Sequence, residues 1–230
     1  MTNKEDKDTI SVIAHQLRSS LLGSKWALQM LLDGDLGPLN QKQKELICQA
    51  QSNNKKMVGL LTELVELERD SEEHYIAHIK SFNITELAKH TLSEHSIQAQ
   101  KRNITLSYIG TNDPVFITGN PGNIHSAIQE LLTNGLKYTN KGSVTLSLKE
   151  DSEHVTITVQ DTGIGIPEQE QDRIGEKFFR GINAEMQNEI GSGLGLFTVK
   201  KIIEKNKGTF SFESIEGEGS IFTITLPKKT

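Results

Sequence analysis

The chain lacks the features that mark disulfide-rich, membrane-spanning and nucleic-acid-binding proteins. Its 230 residues contain a single cysteine, Cys48, which excludes an internal disulfide and a multi-cysteine zinc site. No stretch approaches the roughly 18 apolar residues of a membrane span. The net charge of −5 gives no general attraction to nucleic acid or acidic lipid. These absences predict a soluble protein of a reducing, cytoplasmic compartment with no nucleic-acid partner.

The first third of the chain has the apolar periodicity of two long helices. Over residues 4–32 the apolar side chains recur every three or four positions, with no proline among them. Two glycines and a proline interrupt this pattern at residues 33–40. Asn40 is suited to cap a second helix over about residues 41–69. The sequence therefore predicts a helical hairpin in a first domain of residues 1–72.

The second predicted helix carries a heptad pattern, in which apolar positions alternate steps of four and three. A single hairpin buries only the faces that meet. Pairing two hairpins into a four-helix bundle would bury the remaining apolar residues, so we expect a homodimer. Asn53 fits either a polar residue that sets the register or a solvent-facing edge of the seam. The seam residues are Leu46, Ala50, Asn53, Met57, Leu60, Leu64 and Leu67.

Beyond a polar linker over residues 73–82, the chain alternates predicted helices and strands. Together they predict a second domain of residues 83–230, an α/β sandwich with a mixed sheet and helices on one face. Asn83 is expected to cap the first of its helices. The helices are predicted over residues 84–100, 121–138 and 197–205. The strands are predicted over residues 103–108, 115–118, 143–149, 154–160, 209–213 and 219–227.

Two segments of the second domain suit a polyphosphate bound with a divalent cation. Glu130, Asn134, Lys137 and Tyr138 recur at helical spacing, so they share one helix face. Carboxylate and amide oxygens are hard ligands for Mg²⁺, and a lysine supplies countercharge to phosphate. The segment DTGIGIP, residues 161–167, follows a predicted strand. Its glycines let the backbone approach a ligand, and its carboxylate can accept a hydrogen bond from an amino group.

Two further segments complete this pattern. EKFFRG, residues 176–181, places two aromatic rings between cations. GSGLGL, residues 191–196, opens a predicted helix, and glycine-rich backbone at a helix N-terminus suits an anion. Each segment alone also fits an ordinary turn, but four in this order favour a nucleotide site. A Walker-type phosphate loop is absent from the sequence.

The four ordered segments resemble the ATP-binding catalytic domain of sensor histidine kinases, whose wider class includes gyrase, mismatch-repair and chaperone ATPases. HQLRSSL, residues 15–21, resembles the phosphoacceptor box of the kinases. Together the matches cover residues 5–228. The resemblance implies that His15 is phosphorylated from ATP and passes the phosphoryl group to an aspartate on the receiver domain of a response regulator. It also implies a possible phosphatase activity toward that regulator.

The resemblance implies a role for each matching position. Asn134 resembles the Mg²⁺ ligand, and Glu130 resembles the acidic residue beside the metal and its waters. Lys137 and Tyr138 resemble ATP contacts, and Asp161 resembles the aspartate that accepts from the adenine amino group. Residues 182–190 would form the mobile lid. The glycines that would shape the pocket and lie beside the phosphates are Gly163, Gly165, Gly191, Gly193 and Gly195.

The phosphoacceptor box departs from the commonest family pattern. Gln16 replaces an acid thought to orient or deprotonate the histidine, and an amide cannot take a proton near neutral pH. Losing that base would slow transfer by roughly 10²-fold. Ser20 replaces a proline, so the helix keeps its N–H and loses an expected kink. Ser19 occupies the position tied to phosphatase activity, and its hydroxyl can place a water.

The catalytic domain departs at two positions. Gly135 replaces an alanine, which costs on the order of 1 kcal/mol of helix propensity. Gly175 replaces a phenylalanine, which would loosen the packing of the lid.

Two other functions fit these residues. Gln16 and Ser20 are compatible with a catalytically weak, nucleotide-gated dimeric scaffold of the same fold. An ATPase of the gyrase or chaperone branch would share the ATP segments, but the chain has no transducer-type domain and carries the HxLR box. A membrane segment or sensor domain is expected only if the chain is part of a larger receptor.

Overall fold

The computed structural model describes residues 4–51, 53–54, 57, 78–177, 179–181, 183 and 193–228. The chain divides into two compact units. The first contains Met1–Ser71, and the second contains Glu72–Glu189 and Gly193–Thr230. The described part of the first unit is helical, and that of the second combines helices with β-sheet.

The first unit contains the helical hairpin that the sequence predicts. Its first helix, α1, spans Lys4–Asp33 and so matches the prediction of 4–32. The second helix, α2, begins at residue 41 and is helical over 41–51 and at 53, 54 and 57. Its predicted continuation over 58–69 lies outside the described residues.

The turn between the two helices depends on glycine and on a reciprocal cap. Gly34 and Gly37 adopt left-handed backbone, with φ of 85° and 106°. Asn40 then begins α2 as predicted. Its side-chain oxygen accepts from the N–H of Gln43, and the Gln43 side-chain oxygen accepts from the N–H of Asn40, each at 2.9 Å. This pair satisfies two backbone donors that the start of a helix leaves unbonded.

The face of α2 that meets α1 is not the heptad face. Nε2 of Gln51 donates to Oε1 of Gln29 at 2.8 Å, and Nδ2 of Asn54 donates to the carbonyl oxygen of Leu21 at 3.0 Å. Asn54 is buried, whereas Asn53 is exposed, and both alternatives for Asn53 stay predictions. The other described heptad residues are also exposed: Leu46, Ala50 and Met57. Three more lie outside the described residues: Leu60, Leu64 and Leu67.

Helices and strands alternate along the described residues of the second unit. The helices are α3 (Ile84–Glu94), α4 (Ser96–Lys101), α5 (Pro121–Tyr138), α6 (Glu168–Gln171) and α7 (Gly195–Lys205). The strands are β1 (Lys80–Asn83), β2 (Ile104–Gly110), β3 (Phe116–Gly119), β4 (Gly142–Glu150), β5 (His154–Asp161), β6 (Thr209–Ile215) and β7 (Gly219–Pro227). No helix in the described ranges is both long and apolar enough to cross a bilayer.

The strands form two sheets. The larger has the order β2-β4-β5-β7-β6, in which β2 and β4 run parallel and all other neighbours are antiparallel. β1 and β3 pair antiparallel in a separate two-stranded sheet. The predicted mixed sheet is therefore confirmed.

One face of the larger sheet carries the hydrophobic core. In β4, Val144, Leu146 and Leu148 are buried and alternate with half-buried residues, as the period of a strand requires. The long helix α5 begins at its N-cap Asn120 with Pro121 in its first turn. The buried residues of α5 recur at helical spacing and include Ile124, Ala127, Ile128, Leu131, Leu132 and Leu136. The core therefore fixes the helix on which the candidate site is built.

The predicted helix over 84–100 is wrong in one respect, because the chain forms two helices there. The break is at His95, whose backbone has φ −93° and ψ −4°. The buried ring of His95 lies 2.8 Å from the carbonyl oxygen of Thr91 and 3.2 Å from the hydroxyl of Thr133 on α5. Asn83 caps α3 as predicted.

The short strand β1 was not predicted and lies at the end of the stretch expected to be a linker, residues 73–82. Its four residues, KSFN, are too few to carry a strand periodicity of their own. Their pairing with β3 supplies the backbone partners that the local sequence does not specify.

Candidate functional site

The predicted polar face of α5 lies beside the core. Nδ2 of Asn134 donates to Oε1 of Glu130 at 2.9 Å, which engages the amide nitrogen and leaves the amide oxygen available for a ligand. One turn further on, Nζ of Lys137 lies 4.8 Å from the centroid of the Tyr138 ring. All four side chains are half-buried. A ligand can reach them, while the buried face of α5 holds them in place.

Glu130 also lies against the glycine-rich start of α7. Burial raises the pKa of the Glu130 carboxyl, and the hydrogen bond from Asn134 and the charge of Lys137 oppose that shift. A Cβ atom on Gly195 would overlap the Glu130 carboxylate, so a side chain at position 195 would displace that carboxylate. The first and last of the four segments are therefore brought together.

Asp161, at the end of β5, is the most buried acidic residue of the candidate site, with 6% of its surface exposed. Its carboxylate accepts from the N–H of Gly163 at 2.9 Å and from the N–H of Ser220 on β7. Burial outweighs these bonds and raises the pKa of Asp161 to about 6. A carboxylate has about four acceptor positions, so Asp161 can still accept from a ligand amino group.

The loop after Asp161 packs on the C-terminal end of α5. The N–H of Ile164 donates to the carbonyl oxygen of Tyr138 at 3.2 Å. A Cβ on Gly163 would crowd that same carbonyl group. Gly165 has φ 63°, and a Cβ there would overlap the carbonyl oxygen of Ile215. Gly163 thus permits the close backbone approach that joins the second segment to the first, and Gly165 permits a close approach to the end of β6.

Cations stack on the aromatic rings near the third segment. The guanidinium of Arg173 lies 4.1 Å from the centroid of the Phe179 ring. Nζ of Lys177 lies 5.0 Å from the centroid of the Phe197 ring, which belongs to α7. These cation–π contacts bring the third segment to the helix opened by the fourth.

Gly175 and Asn183 flank the third segment, one on each side. Gly175 has φ 89°, and a Cβ there would meet open space. A glycine in place of phenylalanine therefore serves a left-handed turn at this position. On the other side, Nδ2 of Asn183 donates to the carbonyl oxygen of Gly165 at 2.8 Å. That bond ties the segment to the loop after Asp161.

The fourth segment is described in part. Gly193 has φ 75°, and Gly195 is the first residue of α7. Gly191 lies outside the described residues, as does most of the predicted lid over 182–190. The first turn of α7 contains no acidic residue of its own. The carboxylate beside it is that of Glu130, which belongs to α5.

Gly135 packs on the sheet rather than facing solvent. A Cβ at this position would stand 3.1 Å from Cγ1 of Val144 and 3.6 Å from Cβ of Asp161. The glycine therefore lets α5 approach β4 and β5 closely, a contact that helix propensity alone does not reveal.

The predicted phosphoacceptor box, residues 15–21, belongs to the first unit, whereas the residues described above belong to the second. His15 and Gln16 are part of α1, and their side chains lie outside the described set. Ser19 and Ser20 are exposed. The helix continues through Ser20 without interruption, and the Ser24 hydroxyl donates to the Ser20 carbonyl oxygen at 3.2 Å.

Two contacts of the site were missed from the sequence. Ser220 reaches Asp161 because β5 and β7 pair with these two residues opposite each other. Nη2 of Arg102 donates to the carbonyl oxygen of Lys137 at 3.1 Å, near the end of α5. Both contacts join residues distant in sequence, so no local motif marks them.

Comparisons with known proteins show which proteins this chain is similar to. The family described as "Histidine kinase-, DNA gyrase B-, and HSP90-like ATPase" matches residues 119–230. The chain is 27% identical over 220 residues to the sensor histidine kinase RcsC of Escherichia coli (strain K12), covering 95% of the chain and 23% of RcsC. It is 30% identical over 224 residues to the adaptive-response sensory kinase SasA of Crocosphaera subtropica, covering 95% of the chain and 58% of SasA.

Among solved structures, full-length ShkA in complex with AMPPNP has a TM-score of 0.70 at 18% identity, covering 96% of this chain and 45% of that one. At this identity the likeness shows the fold. The chain spans about a quarter of RcsC and little more than half of SasA. The resemblance to sensor histidine kinases is confirmed.

Proposed function

Because residues 119–230 match the family described as histidine kinase-, DNA gyrase B- and HSP90-like ATPases, we propose that the chain is the dimerising and catalytic part of an ATP-dependent protein histidine kinase. The observation that carries the proposal is the junction of the Glu130–Asn134 pair, the buried Asp161 and the glycine start of α7 in one unit. Similarity to RcsC and SasA over 95% of the chain takes in the hairpin as well, which favours the kinase branch over the gyrase or chaperone branch.

ATP would bind to the second unit with its adenine at Asp161 and its phosphates near the start of α7. Asp161 would accept a hydrogen bond from the adenine amino group, with Gly163 and Gly165 shaping the pocket around it. Lys137 and Tyr138 would contact the nucleotide farther along α5. The backbone N–H groups near the start of α7 would receive the phosphates. The glycines proposed there are Gly191, Gly193 and Gly195.

Glu130 and Asn134 fit a Mg²⁺ ion that accompanies the nucleotide. Their carboxylate and amide oxygens are hard donors one helical turn apart, and Mg²⁺ neutralises phosphate charge when bound. In the described parts of the chain, no three His, Cys, Asp or Glu side chains are grouped to hold a metal. The remaining ligands would therefore be phosphate oxygens and water, as is common for Mg²⁺.

The proposed reaction takes place at His15. An imidazole nitrogen attacks the γ-phosphorus of ATP, the nitrogen–phosphorus bond forms, the bond to the β–γ bridging oxygen breaks, and ADP leaves. The proton on the other ring nitrogen then passes to water. A neutral imidazole is a good nucleophile near pH 7. Gln16 would orient the ring by accepting its N–H but would not remove a proton, so we expect slow transfer. The phosphoryl group would then pass to a response-regulator aspartate, and Ser19 would place a water for the phosphatase reaction.

The hairpin supports a proposed homodimer. On α1, Leu22, Trp26 and Met30 follow one another at four-residue spacing and are 44%, 69% and 45% exposed. On α2, Leu46 and Met57 are 61% and 54% exposed. Large apolar side chains on the outer faces of both helices are suited to a four-helix bundle made with a second copy.

Labelling with γ-labelled ATP and Mg²⁺ tests the proposal. Wild type should acquire an acid-labile, base-stable label, and His15→Ala should not. His154→Ala, a change of an exposed histidine on β5, is the matched control and should keep the label. Label that persists in His15→Ala would contradict the assignment.

Gln16 favours a second candidate, the catalytically weak nucleotide-gated scaffold. That candidate predicts ATP binding by calorimetry in wild type without phosphohistidine, and no gain from Gln16→Glu. Kinase function predicts that Gln16→Glu labels faster than wild type, because a carboxylate can take the imidazole proton.

A further inference from the structure

The hydroxyl of Ser214, near the end of β6, joins two parts of the chain that meet at Asp161. Its Oγ accepts from the N–H of Ile166 at 2.8 Å and donates to the carbonyl oxygen of Gly219 at 3.0 Å. The Ser220 hydroxyl lies 2.9 Å away. Because Ser214 gives its one hydrogen to Gly219, Ser220 is the donor in that third bond. Ser214 is therefore fully bonded.

Gln171 reinforces the same junction. Its Nε2 donates to the carbonyl oxygens of Ile166 and Ser214, each at 3.0 Å. Ile166, near the end of the loop after Asp161, is thus held at both backbone groups: its N–H donates to Ser214 and its carbonyl oxygen accepts from Gln171.

These bonds are part of a closed chain of hydrogen bonds that includes the Asp161 carboxylate. On one side, Gly163 of the loop donates to that carboxylate, and on the other side Ser220 of β7 does so. The loop also accepts from the N–H of Gly217 at the Ile164 carbonyl, at 2.8 Å. Ser214 connects the same loop to Gly219 and Ser220, so it links the chain segments that carry the two donors.

We propose that Ser214 is a positioning residue for Asp161. Ser214 holds the loop of residues 162–167 against the β6–β7 hairpin. The Asp161 carboxylate then faces the adenine edge with both of its backbone donors in place. Gln171 supports this role of Ser214 through its bonds to the carbonyl oxygens of Ile166 and Ser214. The inference rests on the proposed function for the identity of the ligand, but the positioning itself is measurable without a nucleotide.

The titration of Asp161 reports this positioning directly. Burial raises its pKa, and the N–H groups of Gly163 and Ser220 lower it; no ionised side chain contributes to that balance. A loosened hairpin would weaken the bond from Ser220 and raise the pKa further. A residue with a merely structural role would lower thermal stability without moving this value.

The experiment is a carboxyl-carbon NMR titration of nucleotide-free wild type, Ser214→Ala, Ser214→Thr and Ser211→Ala, with ATP affinity measured at about pH 7.5. Ser211 is the matched control, an exposed serine on the same strand. We expect Ser214→Ala to raise the pKa of Asp161 by about half a unit or more and to weaken ATP binding about five- to tenfold. Ser214→Thr keeps a hydroxyl and should leave both the Asp161 pKa and the ATP affinity near their wild-type values. Ser211→Ala should change neither.

An unchanged Asp161 titration in a folded Ser214→Ala would overturn the inference even if ATP binds. A shifted titration in a protein that binds no ATP would support the positioning and reject the proposed nucleotide function. If Ser214→Ala does not fold, Gln171→Ala applies the same test, with a smaller upward shift expected and an unchanged value contradicting the role.

Discussion

The two units bury their apolar residues in different ways. Each buried hydrophobic residue of the described core lies between Ile84 and Leu226, in the second unit. In the described part of the first unit, the buried residue is polar, Asn54, while Trp26 is 69% exposed. The second unit therefore has a core of its own. The described part of the hairpin presents apolar surface, which a second copy of the chain would cover in the proposed homodimer.

Truncating a core side chain of the second unit should have the largest effect. Leu146 on β4 is 0% exposed. Leu146→Ala should lower the free energy of unfolding of that unit by about 2–5 kcal/mol, because buried contacts are lost and a cavity remains. Urea unfolding followed by circular dichroism measures the loss. Thr145→Ala, its half-buried neighbour on the other face, should cost about 1 kcal/mol or less; equal losses would refute the assigned core face.

Placing a charge on the outer face of the hairpin should break the dimer while sparing the second unit. Trp26→Glu removes apolar burial worth about 1.5–3 kcal/mol per side chain, so the dimer dissociation constant should rise about tenfold or more. Sedimentation over a concentration series measures it. Ser24→Glu makes the same charge change about 200° around α1 and should have a smaller effect. A monomeric wild type would contradict the proposed homodimer.

Neutralising Asp161 should stabilise the second unit and abolish ATP binding. The folded-state pKa is about 6, against an ordinary value of 3.8. Between those values the folded unit holds more protons than the unfolded chain, so its stability falls as the pH rises. At about pH 7.5, Asp161→Asn should therefore raise the free energy of unfolding by on the order of 1 kcal/mol.

Below about pH 4 that gain should vanish, since the wild-type carboxyl is then protonated in both states. Urea midpoints at the two pH values test the sign. A variant less stable than wild type near neutral pH would show that Asp161 stabilises the fold rather than straining it.

The smallest expected effect is at Gly135. Alanine adds helix propensity worth about 1 kcal/mol, but its Cβ would stand 3.1 Å from Cγ1 of Val144. We expect Gly135→Ala to change the free energy of unfolding by less than about 1 kcal/mol. In a Val144→Ala background the crowding is relieved, and the same change should stabilise by about 1 kcal/mol. Equal effects in both backgrounds would mean that the contact carries no energy.

Local signals account for the elements that sequence reasoning predicted well. α5 has the predicted bounds because Asn120 and Pro121 mark its start and its apolar residues keep one period through Leu136. The Asn40 cap with Gln43 is a motif that spans four residues. Such features depend on neighbours in sequence, and so they are readable from it.

The features that were missed depend on distant partners. The break at His95 accompanies a contact with Thr133, and the strand β1 exists through its pairing with β3. Ser220 meets Asp161 across a strand pair, and Ser214 reaches the loop that follows it. The motifs therefore identified the candidate ligands of the nucleotide, while the residues that position them required the fold.

The most direct measurement for the central claim is the location of the phosphoryl group after incubation with γ-labelled ATP and Mg²⁺. Trypsin cleavage after Lys7 and Arg18 releases a peptide, residues 8–18, whose one histidine is His15. We expect base-stable, acid-labile label in this peptide, and we expect it to be lost when Asp161→Asn removes ATP binding. Label that is acid-stable, that lies in another peptide, or that survives Asp161→Asn would contradict it.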